Sequence, residues 1–151
     1  MNYLEAPSNQ LFPDVFDAGS QKRVLIVDDA RQISRTLTPR LRSYGYDSVV
    51  SNTRSAVAVA AENPPDLLLL DTAGATEEAF AMVRRIQEAV RRHVPIVLLT
   101  PGTLPELRQK AADFNVVGSF EKPCDLNQLL RVVTFVLSDL DSRAFEPILP
   151  N

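Results

Sequence analysis

Four short, mostly apolar runs, each leading into polar residues, constrain this chain more than any other feature. The runs are residues 24–27 before Asp28 and Asp29, 67–70 before Asp71, 95–99 before Thr100, and 116–120 before Glu121 and Lys122. Continuous apolar runs of this length are typical of strands buried on both faces of a parallel sheet. Ligands bind beyond the carboxyl ends of such strands, so these acids, the hydroxyl and the lysine should meet at one edge. The pattern predicts a site for chemistry on phosphate.

Helical patterns alternate with the predicted strands, which predicts right-handed βαβ units and an α/β protein with a parallel sheet. A second strand is predicted at residues 47–51. Helices are predicted at 30–44, from a cap at Asn52 or Thr53 to 62, at 76–92 with Thr76 as its cap, after the capping-box spacing at 103–106, and from 125 onward. One face of the first helix is predicted to be buried. It carries Ile33, Leu37, Leu41 and Tyr44.

Composition argues against several classes of protein. The 151 residues carry a formal net charge of −3, so a basic footprint for nucleic acid or a membrane surface is not expected. The aliphatic runs are too short to span a bilayer, and residues 1–5 lack the basic start and apolar stretch of a signal peptide. Cys124 is the single cysteine, which rules out an internal disulfide. These features lead us to expect a cytoplasmic protein.

The chain length corresponds to one domain with a tail at each end. We predict a domain at residues 22–137, an N-terminal tail at 1–21 and a C-terminal tail at 138–151. Both tails mix apolar residues with prolines and acids. Two interpretations stay open: the tails are disordered, or they dock on the domain or on a second subunit, which would give a homodimer. Neither tail is long enough to be an output domain.

Each polar feature has an ordinary structural interpretation when it is taken alone. An Asp-Asp pair after a strand is often a turn and a helix cap, a Thr-Pro-Gly sequence is usually a loop, and Lys-Pro is a common exposed dipeptide. Their combination is more specific, because all of them follow successive strands in one order. The joint pattern therefore favours a functional site over a set of unrelated turns.

In these residues the chain resembles the receiver domain of two-component response regulators. The resemblance covers residues 22–137 and rests on four segments: VLIVDD at 24–29, LLLD at 68–71, IVLLT at 96–100 and FEKP at 120–123. It implies a flavodoxin-like, doubly wound five-stranded parallel sheet of order 2-1-3-4-5 with helices on both faces. In that order the first and third strands are neighbours.

The resemblance implies a magnesium site. Asp28, Asp29 and Asp71 would lie side by side, and three carboxylates in contact repel unless a cation offsets their charge. Mg²⁺ is a hard cation that is held by a few carboxylates, water and substrate phosphate. In this family Asp29 would be a direct ligand, Asp28 its neighbour acting through water, and the carbonyl of Ala73 the backbone ligand.

The resemblance also implies the phosphoryl chemistry and the partners. Asp71 would be the phosphoacceptor, a carboxylate nucleophile that takes a phosphoryl group from a sensor histidine kinase, a phosphotransfer protein or a small donor. Lys122 would pair with phosphoryl oxygens, and Thr100 would bind one of them in the activated state. The chain would then signal through a downstream protein whose identity the sequence does not give, and it would not be an enzyme beyond this self-modification.

Several positions depart from the family pattern. Gly74, Ala75 and Ala79 stand where receivers often have Met, Pro and Gly, which predicts a more mobile loop. Ser119 occupies a switch position that is commonly aromatic, and strand alternation predicts that the neighbouring Phe120 points into the core. Pro101 follows Thr100, at a residue whose backbone N–H binds a phosphoryl oxygen in receivers, and proline has no N–H to donate.

Two other residues are given structural roles. Cys124 replaces a common phenylalanine and is predicted to pack as a small hydrophobic residue. His93 is the single histidine, and it is predicted to lie in a surface loop without a phosphotransfer role.

Two alternative functions are considered. A phosphatase of the haloacid dehalogenase type uses a similar set of residues. Such enzymes have a second acid two residues after the nucleophile, and in this chain that position is occupied by Ala73. A pseudo-receiver, which uses the same fold as a binding module without phosphorylation, is favoured by the altered loops and by Ser119. The intact set of acids, threonine and lysine argues against it.

Overall fold

Five parallel strands form one sheet in the order β2-β1-β3-β4-β5. The computed structural model describes residues 21–73, 76–102 and 105–139. The strands are β1 (Arg23–Val27), β2 (Asp47–Ser51), β3 (Leu67–Asp71), β4 (Ile96–Thr100) and β5 (Val116–Glu121). The helices are α1 (Gln32–Ser43), α2 (Ala56–Glu62), α3 (Thr76–Val90), α4 (Leu107–Phe114) and α5 (Leu126–Asp139). The predicted α/β class and the strand order 2-1-3-4-5 are confirmed.

Two apolar layers, one on each face of the sheet, hold the domain together. Successive residues of a strand point to opposite faces, so Leu68 and Leu70 join one layer while Leu67 and Leu69 join the other. The first layer packs against α2, α3 and α4, and the second packs against α1 and α5. Helices therefore cover both faces, which explains why the strands are continuously apolar.

The register of the sheet places the polar residues at one edge. Val27 of β1 pairs with Leu70 of β3, so Asp28 and Asp71, the next residues, leave adjacent strands side by side. Asp71 in turn pairs with Leu99, one residue before Thr100. The predicted convergence of strand ends thus follows from the pairing of the apolar runs.

The first helix is shorter than predicted, and one of its core residues was assigned wrongly. It begins at Gln32 and ends at Ser43, while Leu37 and Leu41 are buried as predicted. Tyr44 is 57% exposed, because it follows the helix as its C-cap residue and leaves the buried face there. Gly45 then ends the helix with φ +89°, a conformation that glycine adopts without strain.

The predicted cap of the second helix is wrong. The helix begins at Ala56 after Ser55, and neither Asn52 nor Thr53 is its N-cap. The Asn52 side chain instead accepts a hydrogen bond from the Ser55 N–H at 2.9 Å, which closes a turn ahead of the helix. Thr53 uses its hydroxyl elsewhere, as described below.

The other helix boundaries differ from the predictions by one or two residues. Thr76 is the first residue of α3, and that helix ends at Val90 instead of residue 92. The last helix begins at Leu126, after Asp125, whose side chain accepts a hydrogen bond from the Asn127 N–H. On its inner face Leu126 is half-buried, and Leu129, Leu130, Val133 and Leu137 are buried.

Some predictions fall on residues that the structure does not describe. Residues 1–20 and 140–151, which make up most of the tails predicted at 1–21 and 138–151, lie outside the described ranges, as does half of the capping box at 103–106. The boundaries of the predicted domain, 22–137, therefore stay a prediction. Within the described residues, no helix has the length and apolar character that a bilayer crossing requires.

Candidate functional site

A cavity of about 340 Å³ opens where β1 and β3 end. Five of the six predicted site residues line it: Asp28, Asp29, Asp71, Ala73 and Lys122. Thr100, the sixth, is not among the lining residues. The sequence did not predict the other polar residues of this wall, which are Gln32, Thr53, Thr72 and Glu78.

Asp28 is a buried carboxylate that fixes the start of α1. It is 2% exposed, and its two oxygens accept hydrogen bonds from the backbone N–H groups of Arg31 (3.0 Å) and Ser34 (2.8 Å). Donors at a helix N-terminus lack partners within the helix, and a carboxylate there also interacts favourably with the helix dipole. Asp28 therefore has a structural role in addition to its place in the cavity wall.

Asp29 is exposed and bound by a single residue of the neighbouring loop. Its Oδ1 accepts the backbone N–H of Thr53 at 2.7 Å, and its Oδ2 accepts the Thr53 hydroxyl at 3.0 Å. Both oxygens of this carboxylate are thus engaged by the loop between β2 and α2.

Asp71 forms an ion pair with Lys122. The Lys122 ammonium nitrogen lies 2.5 Å from Asp71 Oδ1 and 3.2 Å from the carbonyl oxygen of Thr72. The backbone N–H of Lys122 donates to the carbonyl of Thr100 at 2.7 Å, which anchors the lysine to the end of β4. The sheet thus brings the predicted acceptor and the predicted lysine into contact across 51 residues of sequence.

The hydroxyl of Thr100 is turned toward its own loop. The residue is 3% exposed, and its hydroxyl donates to the carbonyl oxygen of Gly102 at 2.6 Å. Pro101, between them, is exposed. In this state Thr100 lies at the strand end that the sequence predicts, but its hydroxyl is engaged outside the cavity.

The donor set suits magnesium, although the described side chains do not yet assemble a metal site. Carboxylate oxygens and a backbone carbonyl are the ligands that this hard cation prefers. Within residues 21–73, 76–102 and 105–139, no group of three His, Cys, Asp or Glu side chains lies close enough to hold a metal ion.

Ser119, at the predicted switch position, and its neighbour Phe120 lie on opposite faces of β5. A register irregularity inserts Val117, so that Ser119 pairs with Leu98 and Phe120 with Leu99. Phe120 packs against the layer that contains α1 and α5, as predicted. Ser119 lies half-buried on the opposite face, and it supplies no ring there.

Cys124 and His93 occupy the environments that the sequence predicts. Cys124 packs against the same apolar layer as Phe120, and burial raises the pKa of its thiol, with a smaller contribution from the nearby charge of Asp71. His93 is exposed in the loop before β4. Neither residue lines the cavity.

Comparison with known proteins agrees with this architecture. A sequence model described as the response regulator receiver domain matches residues 24–134. That range covers most of the chain and all four segments of the site, so the chain belongs to the receiver domains of response regulators in two-component signalling.

Two curated relatives are transcriptional regulatory proteins. The chain is 29% identical over 124 residues to PdtaR of Mycobacterium tuberculosis, a match covering 81% of this chain and 60% of PdtaR. It is 33% identical over 118 residues to the phosphate regulon regulator PhoB of Pseudomonas aeruginosa, covering 77% of this chain and 52% of PhoB. The chain therefore spans only about half to three fifths of the length of these two relatives.

Solved structures share the fold. The chemotaxis protein CheY4 of Vibrio cholerae is 26% identical and superposes with a TM-score of 0.65, covering 77% of this chain and 98% of CheY4. A CheY-like receiver domain protein from Methanospirillum hungatei superposes with a TM-score of 0.69 at 21% identity, covering 82% of this chain and 99% of its own. The second likeness supports the fold alone.

Replacing Asp28 should destabilise the fold more than replacing its neighbour. In Asp28→Ala two backbone N–H groups lose a buried acceptor, so we expect the free energy of unfolding to fall by about 1–3 kcal/mol. Asp29→Ala, the matched control at an exposed position, should change it by less than about 1 kcal/mol. Urea denaturation followed by circular dichroism measures both values. Equal losses in the two variants would contradict the structural role of Asp28.

The thiol of Cys124 should react slowly with alkylating reagents. Because burial raises its pKa, a smaller fraction is thiolate at any pH below that pKa, and the thiolate is the reactive form. The rate of iodoacetamide labelling should rise with pH along a curve displaced to higher pH than that of a cysteine-containing peptide. Intact mass against time, at a series of pH values, gives both curves. Coincident curves would show that the burial does not affect the thiol.

Proposed function

We propose that this receiver accepts a phosphoryl group on Asp71 from a sensor histidine kinase or a phosphotransfer protein, and that it signals through protein partners. The observation that carries the proposal is the contact of Lys122 with Asp71 in a cavity that Asp28 and Asp29 also line. A carboxylate nucleophile needs neighbouring positive charge when it receives a phosphoryl group, because phosphoryl transfer depends on positioning and charge stabilisation. This cavity supplies both.

The chain's own residues would act in the following way. Lys122 contacts Oδ1 of Asp71, so Oδ2 is the oxygen that we propose as the nucleophile. It forms a bond to phosphorus while the bond from phosphorus to the donor's histidine nitrogen breaks. Lys122 then pairs with a phosphoryl oxygen, and Thr100 exchanges the Gly102 carbonyl for another.

A bound cation completes the proposed site. Asp29, Asp71 and the carbonyl of Ala73 would hold Mg²⁺, and Asp28 would act through water. The ion would supply positive charge against the phosphoryl oxygens. Asp28 is suited to the indirect role, since its oxygens already accept two backbone hydrogen bonds.

The proposed partners follow from the same chemistry. We assign the chain no catalytic activity toward an external substrate, only its own phosphorylation and dephosphorylation. The output would pass to a downstream protein at the surface of α4, β5 and α5, the face next to Thr100 and Lys122. We propose residues 22–137 as the functional unit, and a homodimer is a further possible assembly of it.

One alternative is supported by specific observations. A receiver used as a binding module without phosphorylation would account for the Thr100 hydroxyl bound to Gly102, for Pro101, and for Ser119. The phosphatase alternative has no comparable support, because the Ala73 side chain has no proton to give to a leaving group.

Asp71 should be the only residue phosphorylated by a small phosphodonor. After incubation with acetyl phosphate and Mg²⁺, intact mass should show one added phosphoryl group on the wild-type chain and none on Asp71→Asn. Asp113→Asn is the matched control, since Asp113 is exposed and remote from the cavity, and it should be modified normally. An adduct on Asp71→Asn would contradict the assignment, and its absence from the wild type would favour the binding-module alternative.

Pro101 should weaken the phosphorylated state. If a backbone N–H at this position binds a phosphoryl oxygen in receivers, proline removes one hydrogen bond to a charged group, worth about 1.5–3 kcal/mol. Proline also stiffens the loop that must move when Thr100 leaves Gly102. Pro101→Ala should therefore bind beryllofluoride, a phosphoryl mimic, about tenfold more tightly at fixed Mg²⁺.

The control for this loop is Pro105→Ala. Pro105 is also exposed and precedes α4, but it does not adjoin Thr100, so its replacement should leave beryllofluoride affinity unchanged. Affinity is read from amide chemical shifts during titration. Equal or weaker binding by Pro101→Ala would mean that another donor, such as the Gly102 N–H, replaces the missing one.

A further inference from the structure

The contact between Thr53 and Asp29 joins the proposed metal site to a loop with no assigned role. Asp29 is exposed, yet both of its oxygens accept hydrogen bonds from this one residue, at 2.7 Å from the backbone N–H and 3.0 Å from the hydroxyl. Hydrogen bonds to an ionised acceptor are roughly twice as strong as those between neutral groups. Thr53 therefore sets the direction in which the Asp29 carboxylate points.

The loop that carries Thr53 is held in place by its own hydrogen bonds. The Ser51 hydroxyl donates to the carbonyl of Asn52 at 2.8 Å, and the Asn52 side chain accepts the Ser55 N–H at 2.9 Å. The carbonyl of Ser51 in turn accepts the N–H of Asp28, next to Asp29, at 3.0 Å. Hydrogen bonds thus fix the backbone near Thr53 and near Asp29. The contact between the two residues therefore does not require a flexible segment to become ordered.

Two opposite roles are possible for such a partner of a metal ligand. A hydrogen-bond donor can orient the ligand toward the metal and raise its affinity, or it can hold the ligand away and compete. Thr53 already binds both oxygens of Asp29, one with its backbone N–H and one with its hydroxyl, in a cavity that Asp28 and Asp71 also line. A cation that binds Asp29 needs one of these oxygens, and this favours competition.

We propose that Thr53 competes with the cation for Asp29, so that metal binding requires Asp29 to exchange the Thr53 hydroxyl for the ion. This inference rests on the proposed function, because it takes Asp29 to be a magnesium ligand. Only molecules in which Asp29 has left the Thr53 hydroxyl can bind the ion. The apparent dissociation constant therefore equals the intrinsic dissociation constant divided by the fraction of molecules in that conformation. Thr53 is thus a positioning residue that raises the Mg²⁺ concentration the receiver needs.

The test is the Mg²⁺ affinity of matched variants of the unphosphorylated chain. Thr53→Val removes the hydroxyl, keeps the backbone N–H and has nearly the same shape, and it should bind Mg²⁺ about threefold to tenfold more tightly. Thr53→Ser keeps the hydroxyl and should match the wild type. Thr134→Val is the control for the substitution itself, because the Thr134 hydroxyl donates to a backbone carbonyl on α5, away from the cavity. Amide chemical shifts during MgCl₂ titration give each dissociation constant.

A second readout reports on the contact itself. In the wild type, saturation with Mg²⁺ should shift the Thr53 amide proton upfield as its bond to Asp29 lengthens or breaks. Asp29→Asn should shift the same proton upfield without the metal, because the acceptor loses its charge.

The outcomes separate this inference from the proposed function. Tighter binding by Thr53→Val, with Thr53→Ser and Thr134→Val at the wild-type value, supports the competition. Unchanged or weaker binding by Thr53→Val, in a wild type that binds Mg²⁺, overturns it and makes Thr53 an orienting residue or a bystander. Absence of Mg²⁺ binding in the wild type and all variants overturns the metal site of the proposed function, and this inference with it.

Discussion

Electrostatic repulsion among three carboxylates is the constraint around which the site is arranged. The pairing of Val27 with Leu70 forces the acids that follow them to one edge of the sheet, because the apolar runs must stay buried. Each carboxylate then has its own donors: two backbone N–H groups for Asp28, Thr53 for Asp29 and Lys122 for Asp71. Each carboxylate is thus held by a separate set of donors in the shared cavity.

The same contacts describe what activation has to change. Lys122 is bound to Asp71, Thr100 to Gly102 and Asp29 to Thr53, and a phosphoryl group with its cation would replace a partner in each of these pairs. The cost of breaking these bonds must be met by new bonds to phosphoryl oxygens and to the ion. In the proposed function, Pro101 would remove one of the new bonds to a phosphoryl oxygen, and Thr53 would hold Asp29 in one of the existing contacts. The two residues would then oppose activation in different ways, one because it lacks a donor and the other because it supplies one.

The sequence predicted the fold and the placement of the acids because both depend on the pattern of apolar runs, which is clear along the whole domain. The apolar runs mark the strands, and their length and order define the sheet. Predictions that depended on a single local hydrogen bond were less secure. Thr53 can cap a helix or bind a distant acceptor equally well, and nothing in the adjacent residues shows that Asp29, 24 residues away, is within reach. The prediction that Tyr44 is buried was wrong for a related reason, since helical spacing alone does not show where the helix ends.

Asp28 and Asp29 are adjacent acids with different roles: Asp28 stabilises the fold, and Asp29 is the proposed metal ligand. Asp28 is buried, and turning it toward a cation would break its side-chain hydrogen bonds with the backbone N–H groups of Arg31 and Ser34. Asp29 is exposed, so it can move at the cost of one loop contact, while water replaces what Thr53 loses. Asp28 therefore maintains the start of α1, and the exposed Asp29 is the acid that we propose as the metal ligand. A site built on the exposed neighbour can change state without loosening the helix that supports it.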